Sequence, residues 1–422
     1  MIVKKKYCEM IFKKSRESCN QKRKIVLPII IGYAAFYIIR LNFSFSIPSL
    51  IDAFGYTKTQ IGTAFTFFSL IYGVGKFFSG IIADLKNAKV LLILGLVGSA
   101  LINFLLPSSV SIWNLTLLLG INGCFQSMGW PACVKILNYW FEKKKMGTVW
   151  GLCNSSHALG SAAIALSAAY LMEHYSWRGL FYIPGILSIL VAILIAVSLP
   201  YPGNFQIHSF EKLKFKLYVS EVFSEVFKNK CVWYMCLGTL CLYVVRISFL
   251  NWLPTFLVET KGSALSTAGM QFSGFELLGI LGGMCAGVLA DKWGGKYRSL
   301  IAMVFLFGLL FCIFFIVYIP LHKEFLFNIA LSFSGFFVYG PQILGGLIAN
   351  DCVPKGKTSA TTGLVGAFGY LGATFSGAGI GNFVDSYGWN FVFYILFSST
   401  ALSFVFFYLA SLIIKKNNTS SA

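Results

Sequence analysis

The sequence has 422 residues, of which 57% are hydrophobic and 12% are charged, and its mean hydropathy is +0.75. Such a composition excludes an ordinary soluble domain and predicts a protein that crosses a membrane many times. The net charge of +19 would suggest a nucleic-acid partner in a soluble protein. In a membrane protein it must first be compared with the distribution of Lys and Arg between the loops.

Apolar runs long enough to cross a bilayer follow one another along the whole chain. Twelve spans are expected, at about 25–50, 61–83, 90–107, 112–137, 146–171, 179–200, 232–257, 267–290, 299–319, 325–349, 358–384 and 389–414. An even number of spans places both termini on the same side of the membrane. The chain is therefore predicted to be an all-α membrane protein.

The basic residues indicate which side that is. Of the 34 Lys and Arg, 26 lie in the two tails and in the loops after even-numbered spans, whereas the loops after odd-numbered spans hold four. Because cytoplasmic loops are enriched in Lys and Arg, both termini are expected in the cytoplasm. This distribution explains the net charge without nucleic acid.

One long polar segment, residues 201–231, divides the spans into two groups of six. Its charged and aromatic residues alternate, which suggests a linker with a short interfacial helix. The expected order is therefore a cytoplasmic tail at 1–24, a six-helix bundle at 25–200, the linker at 201–231, a second bundle at 232–414 and a tail at 415–422. The eleven cysteines are scattered and are interpreted as small buried apolar residues without a metal or disulfide role.

The two groups of six resemble each other. Matching features recur at nearly constant separation, 206 residues for an arginine in spans one and seven and 207 for an aspartate after spans two and eight. The pairs are Arg40 with Arg246, Asp84 with Asp291, and the glycine motifs Gly151–Gly160 and Gly363–Gly372. This indicates a duplicated unit, and six-plus-six parallel repeats are the plan of the major facilitator transporters.

Arg40 lies deep in span one and Arg246 deep in span seven. An arginine in hydrocarbon costs between about 2.5 and 17 kcal/mol, so it persists where it contacts water, a partner or a ligand. Two guanidinium groups from equivalent helices would repel unless an anion lay between them, and their planar forks suit phosphate oxygens. The alternatives are that Arg40 reaches a lipid headgroup, or that the two arginines are unrelated structural residues.

Three further sets of residues carry charge near the spans. His157 in span five is expected either to pack in the bundle or to join the site, where it would titrate near neutral pH together with phosphate. Lys76 in span two is expected either in the site or reaching towards the membrane surface. Asp84 and Asp291, each at the cytoplasmic end of its span, are expected to cap helices and to act in gating without contacting substrate.

With these residues in place, the chain resembles the organophosphate:phosphate antiporter family of the major facilitator superfamily. The resemblance rests on blocks in both halves, among them GYAAFYIIRLNFSFSIPSL at 32–50, YGVGKFFSGIIADLKNAK at 72–89, FQSMGWPACVKILNYWF at 125–141, YVVRISFLNW at 243–252 and GFFVYGPQILGG at 335–346. It implies a bundle with alternating access in which Arg40 and Arg246 bind the phosphoryl group. By matching motif, the residues around them are Tyr33, Lys76, His157, Tyr243 and Tyr370, with Gln126 and Trp130 lining the cavity.

The resemblance is nearest to the hexose-phosphate branch, which includes a sugar-phosphate sensor and transporters. It implies uptake of glucose 6-phosphate or a related hexose phosphate in exchange for inorganic phosphate. Ala373, Thr374, Phe375 and Ser376 depart from one transporter pattern that has Asp and Lys there, which leaves the sugar specificity open but not the binding of phosphate. Glycerol 3-phosphate transport remains an alternative because the phosphate end of the site would be the same. Sensing of extracellular hexose phosphate remains another because the branch includes a sensor. The chain has none of the catalytic motifs sought, so an enzyme is not expected, and neither is a cofactor or metal. The expected setting is a bacterial inner membrane, with the protein as a monomer in the lipid bilayer.

Overall fold

The computed structural model describes residues 2–85, 87–109, 111–141, 146–200, 226–319, 323–353 and 358–420, with only the backbone described for residues 2–23. The regular structure in these ranges is helical. Its α-helices are α1 (Ile2–Phe54), α2 (Lys58–Leu85), α3 (Ala88–Leu105), α4 (Ile112–Ser127), α5 (Gly129–Trp140), α6 (Met146–Ser198), α7 (Lys230–Lys261), α8 (Leu265–Trp293), α9 (Arg298–Tyr318), α10 (Glu324–Asp351), α11 (Thr358–Phe375) and α12 (Ala378–Ser420). The predicted linker falls largely outside the described residues.

Besides α1, which also includes the predicted N-terminal tail, two of these helices are too long to be single membrane crossings. At 1.5 Å per residue, the 53 residues of α6 would extend about 80 Å, whereas the hydrocarbon layer is about 30 Å thick. The helical dihedrals break at Ser176 in α6 (φ 60°, ψ 174°) and at Gly388 in α12 (φ 78°, ψ 178°). The chain turns back at these residues, so α6 contains spans five and six, and α12 contains the end of span eleven and all of span twelve.

The remaining helices complete the predicted set. Within the described chain, nine helical segments are long and apolar enough to cross a membrane, and two of them contain the reversals just described. The fourth span is divided at Met128, where α4 ends and α5 begins. The twelve crossings predicted from the sequence are therefore confirmed.

Equivalent glycines show that the two halves pack alike. A Cβ on Gly160 of span five would collide with the Ala34 carbonyl oxygen of span one. A Cβ on Gly372 of span eleven would collide in the same way with the Leu240 carbonyl oxygen of span seven. Span five thus approaches span one as span eleven approaches span seven, as expected of a duplicated six-helix unit.

The halves meet closely at the end that carries the connections after odd-numbered spans, which we call the odd-loop end. There α2 lies against the junction of α11 and α12, and a Cβ on Gly62 would lie 2.5 Å from the Gly377 carbonyl oxygen. The Thr66 hydroxyl donates to the Thr374 carbonyl at 2.8 Å and accepts from the Ala378 amide at 2.9 Å. The two halves are in direct contact at this level.

A polar cluster adds to the contact at the outermost turn. The Asp385 carboxylate accepts hydrogen bonds from the Lys58 and Thr59 amides at 3.2 and 2.7 Å and from the Thr59 hydroxyl at 2.6 Å. Lys58 also pairs with Glu259 at 3.2 Å, and Trp389 Nε1 donates to the same carboxylate at 2.9 Å. Since the partners come from both halves, the odd-loop end is closed in this structure.

The cysteines do not all behave as expected. Cys231 at the start of α7 and Cys352 just after α10 form a disulfide, and Asn229 Nδ2 donates to the Cys352 carbonyl at 2.7 Å. The expectation of no disulfide is therefore wrong for this pair, because the start of span seven and the end of span ten lie side by side. Cys124 and Cys285 are exposed on the helix surface, so the expectation of burial is also wrong for them.

Candidate substrate site

Arg246 is held in the bundle interior by a chain of hydrogen bonds. Its side chain is 4% exposed, and its Nη2 donates to the Tyr339 hydroxyl at 3.2 Å. Its guanidinium carbon also lies 4.9 Å from the centroid of the Tyr339 ring. The Tyr339 hydroxyl in turn lies 2.9 and 3.0 Å from the two carboxylate oxygens of Glu276, to which it donates.

Glu276 was not predicted as a site residue. It is completely buried in α8, and it is the only acidic residue between Leu265 and Ala290. That isolation within an apolar span is the signal by which the sequence could have identified it. Arg246 thus has an acidic group one side chain away, connected through the Tyr339 hydroxyl.

Arg40 has different surroundings. Its guanidinium carbon lies 4.8 Å from the ring centroid of Tyr72, 4.9 Å from that of Phe68 and 5.5 Å from that of Tyr37. These distances are those of cation–π contacts. Arg40 therefore lies in an aromatic cage formed by α1 and α2.

His157 lies between the two arginine regions. It is 4% exposed, and its ring centroid is 5.1 Å from that of Tyr37 and 5.5 Å from that of Tyr339. Since Tyr37 also contacts Arg40 and Tyr339 also contacts Arg246, a continuous series of side chains joins the two guanidinium groups. The structure therefore brings Arg40, His157 and Arg246 into one site.

Aromatic residues border the site on the side of the first half. The Tyr33 ring lies 4.9 Å from the Trp130 ring and 5.5 Å from the Tyr37 ring. Tyr33 is buried in α1 and Trp130 is half-buried in α5. These rings form an aromatic wall that connects to His157 through Tyr37.

The remaining predicted residues gather between α2, α7 and α11. The Tyr370 ring lies 4.9 Å from that of Tyr72 and 6.2 Å from that of Tyr243. The Lys76 ammonium lies 5.2 Å from the Tyr370 ring centroid. Lys76 is thus close to the Arg40 cage through Tyr370 and Tyr72, and its side chain turns towards the second half.

Several buried polar atoms have no hydrogen-bond partner among the described residues. They include Arg246 Nε and Gln126 Nε2, together with Asn122 Oδ1 and Asn251 Nδ2 beside a small cavity that Arg40 also lines. Buried polar groups in proteins are nearly always satisfied. Unused hydrogen-bonding capacity at these positions therefore suits a polar ligand or water.

The two predicted gating aspartates lie away from this site. Asp291 is exposed in the last turn of α8, fifteen residues beyond Glu276 and hence about 22 Å along the helix. The backbone of Asp84 lies in the last turn of α2, and its side chain is outside the described residues. Their role in gating stays a prediction.

Comparison with known families matches the chain to the Major Facilitator Superfamily at residues 29–376 and 265–421. The chain belongs to the major facilitator superfamily. Two solved structures share the fold of this superfamily member. A bacterial homologue of the human lysosomal transporter Spinster has a TM-score of 0.75 and 16% identity, covering 94% of this chain and 98% of the other. The nucleoside transporter NupG has a TM-score of 0.73 and 16% identity, covering 90% and 98%.

Curated relatives place this superfamily member in the organophosphate transporter family. A probable hexose phosphate transport protein of Chlamydia pneumoniae is 31% identical, with 94% of this chain and 93% of the relative aligned. The glycerol-3-phosphate transporter of Bacillus subtilis is 32% identical over 91% and 90%, and the membrane sensor protein UhpC of Salmonella typhimurium is 32% identical over 90% and 90%. The family is one of multi-pass membrane transporters and not of enzymes.

Proposed function

We propose that this major facilitator protein exchanges a hexose phosphate, such as glucose 6-phosphate, for inorganic phosphate by alternating access. The observation that carries the proposal is the convergence of Arg40 and Arg246 from equivalent helices on the buried His157. Two permanent cations inside a bundle require an anionic ligand, and a phosphoryl group offers oxygens to both forks.

In this proposal the phosphoryl group lies between the two guanidinium groups, with His157 beside it as a further hydrogen-bonding residue. Arg246 Nε lacks a hydrogen-bond partner within the described chain, so it is free to donate to the ligand. Lys76, Tyr243 and Tyr370 complete the phosphate end of the site.

The sugar would lie against the aromatic wall formed by Tyr33 and Trp130. Gln126 Nε2, for which the described part of the chain provides no acceptor, is available for a sugar hydroxyl. This arrangement combines ring faces for the apolar side of a pyranose with donors for its hydroxyl groups.

The departure from the transporter pattern in span eleven lies mostly at packing positions. Ala373 is fully buried, and the Thr374 and Ser376 carbonyls accept hydrogen bonds from Thr66 and Trp252. These residues support contact between helices, so the sugar specificity is assigned to Tyr33, Trp130 and Gln126 instead.

The distribution of Lys and Arg supports the orientation. If both termini are cytoplasmic, the odd-loop end faces outward, and the structure is closed on the outer side. The membrane is proposed to be the bacterial plasma membrane, in keeping with the bacterial relatives. Asp84 and Asp291 then lie at the opposite, cytoplasmic end, where they are proposed to act in closure.

Counterflow in proteoliposomes tests the proposal. Purified protein in liposomes loaded with inorganic phosphate should take up labelled glucose 6-phosphate rapidly, and unlabelled glucose 6-phosphate outside should compete. Preference for glycerol 3-phosphate would reassign the substrate, which the B. subtilis relative makes a specific alternative. Saturable binding of glucose 6-phosphate without uptake would support the sensor alternative, which the relative UhpC favours.

A further inference from the structure

Glu276 is a buried carboxylate to which the proposed exchange mechanism has so far assigned no role. Three neighbouring helices contribute the polar groups around the Glu276 carboxylate. They are Tyr339 from α10, Arg246 from α7, and Ser161 from α6, whose hydroxyl also donates to the His157 carbonyl. The only charged residue of α9 is Arg298, at the first position of that helix. The cation that this network links to the Glu276 carboxylate is therefore Arg246.

That connection is indirect. Arg246 donates to the Tyr339 oxygen, and the Tyr339 hydroxyl donates to Glu276, whereas no ion pair within 4.0 Å joins the arginine and the glutamate directly. A fully buried carboxylate is costly unless a nearby cation or several hydrogen bonds compensate its charge. In the empty site Arg246 provides that compensation through the tyrosine.

Substrate would change this balance. The proposed function places a phosphoryl group on Arg246, where the positive charge is shared with the phosphate oxygens. The same phosphate would bring up to two negative charges close to the network that holds Glu276. Two anions competing for one buried cation repel, and neutralising one of them relieves the repulsion.

We propose that Glu276 is a proton-binding site of the transport cycle, taking up one proton from water when a phosphate dianion binds Arg246 and releasing it when the phosphate leaves. This rests on the proposed function, since it requires phosphate at Arg246. The proton bonds to a carboxylate oxygen, and the neutral acid can then donate to the Tyr339 oxygen. Binding of a dianion together with a proton adds one negative charge to the site instead of two.

Proton uptake on ligand binding measures this directly. Purified protein in detergent is held in weak buffer with a pH indicator at about pH 8.5, where free phosphate is almost entirely dianionic. Sodium phosphate adjusted to the same pH is then added, and bound phosphate is measured in parallel. Wild-type protein should take up about one proton per phosphate bound, and Glu276→Gln should bind phosphate with nearly no uptake.

Two variants serve as controls. Glu324→Gln alters an exposed acid in the first turn of α10 and should keep the wild-type uptake. His157→Gln removes the imidazole ring that stacks on Tyr339 and should keep about one proton for each phosphate that the variant still binds. Should Glu276→Gln fail to fold, Glu276→Asp, which retains a carboxylate, is expected to keep the uptake.

The outcomes distinguish a failure of the proposed phosphate binding from a failure of the proposed proton site. Wild-type protein that binds no phosphate would refute the proposed function. Wild-type protein that binds phosphate without taking up a proton would refute the proton site alone. Equal uptake by wild type and Glu276→Gln, or loss of uptake in His157→Gln per phosphate bound, would likewise place the proton elsewhere.

Discussion

Arg40 and Arg246 occupy equivalent positions in the two halves, yet their surroundings differ. Arg40 lies among the rings of Tyr37, Phe68 and Tyr72, whereas Arg246 donates a hydrogen bond to Tyr339. A cation held by ring faces keeps most of its N–H groups for a ligand. The duplication therefore preserved the two charges and changed the way each is held.

Replacing either arginine by lysine should abolish most exchange. A point ammonium cannot reproduce the bidentate fork, and hydrogen bonds to charged groups contribute about 1.5–3 kcal/mol each, so Arg40→Lys and Arg246→Lys should each lower the exchange rate about 10- to 100-fold. Phosphate counterflow in proteoliposomes measures the loss. Arg178→Lys, at an exposed position, is the matched control and should retain wild-type exchange. Wild-type rates in the two site variants would remove the arginines from the site.

Removing the Tyr339 hydroxyl should destabilise the protein. In Tyr339→Phe the buried Glu276 loses the donor that contacts both of its oxygens, and an unsatisfied buried group costs about 1–3 kcal/mol. Thermal unfolding in detergent should therefore occur at a lower temperature than in wild type. Tyr387→Phe, whose ring is 66% exposed, provides the control and should unfold like wild type. Equal unfolding temperatures for all three proteins would show that the hydroxyl makes no net contribution.

The sequence led to some residues of the candidate site, whose role in binding stays a prediction, and missed Glu276 and Tyr339. Arg40, Arg246 and His157 were identifiable because polar groups inside spans are costly and two of them repeat. Glu276 has no acidic counterpart, since Leu70 and Ser69 stand 206 and 207 residues earlier, so a search for repeated pairs passes over it. Tyr339 is one of 20 tyrosines, and only the packing of α10 against α8 distinguishes it.

Among the helices, α2 determines whether the odd-loop end is closed. Its glycine face lies directly on the backbone where α11 ends and α12 begins, and the outermost turn of α2 is held by Asp385 from α12. Both contacts must separate if the two halves are to open at this end. They are therefore the points at which the conformational equilibrium can be altered without touching the site.

Adding a methyl group at Gly62 should favour opening. The new Cβ would lie 2.5 Å from the Gly377 carbonyl oxygen, which is backbone and cannot move aside alone. In Gly62→Ala, spin labels at residues 57 and 386 should lie farther apart on average than in the wild-type background. Gly80→Ala, where the added Cβ meets nothing within 4 Å, should leave that distance distribution unchanged. An unaltered distribution in Gly62→Ala would mean that the helices accommodate the methyl group while closed.

Replacing Asp385 by alanine should also favour opening of the odd-loop end, here through the loss of hydrogen bonds and not through a steric clash. Its carboxylate caps the first turn of α2, and loss of such a cap costs about 0.5–2 kcal/mol, a population shift of roughly 2- to 30-fold. The same pair of labels should report a larger open fraction in Asp385→Ala. Asp52→Ala, an exposed acid at the same end of the bundle, is the comparison that should show no shift.

The helix pattern itself was predictable to within a few residues, but two of its features were not. The reversals at Ser176 and Gly388 occur without a loop, because one residue with positive φ redirects a continuous helical stretch. The disulfide of Cys231 with Cys352 joins residues 121 apart in sequence. Spacing alone gives no reason to pair two cysteines that distant, since their proximity depends on how α7 packs beside α10.

In the molecule as a whole, the two halves are six-helix bundles that meet at the candidate site and at the odd-loop end. The site lies between them, and Arg40 and Arg246 each belong to one bundle. Any motion that opens one end while closing the other must therefore change the distance and orientation between the two guanidinium groups. In the proposed exchange, substrate charge and conformational change would be coupled through that distance and orientation.

Exchange should consequently be obligatory. Glu276 offsets the charge of Arg246, whereas the described cage around Arg40 consists of the rings of Tyr37, Phe68 and Tyr72 and contains no acidic residue. Without substrate, the protein therefore retains net positive charge in a low-dielectric interior. Crossing between the two states should be slow in that form and faster once phosphate neutralises the site. Labelled glucose 6-phosphate should thus enter phosphate-loaded liposomes quickly and phosphate-free liposomes barely at all.

An imposed proton gradient should make little difference to this result. If the proton bound at Glu276 enters with the organic phosphate and returns with inorganic phosphate, each complete exchange moves no net proton. Liposomes containing Arg40→Lys provide the background rate for both conditions. Should phosphate-free liposomes with an inward proton gradient accumulate glucose 6-phosphate as fast as phosphate-loaded ones, the empty carrier crosses freely, and the protein is a proton symporter instead of an exchanger.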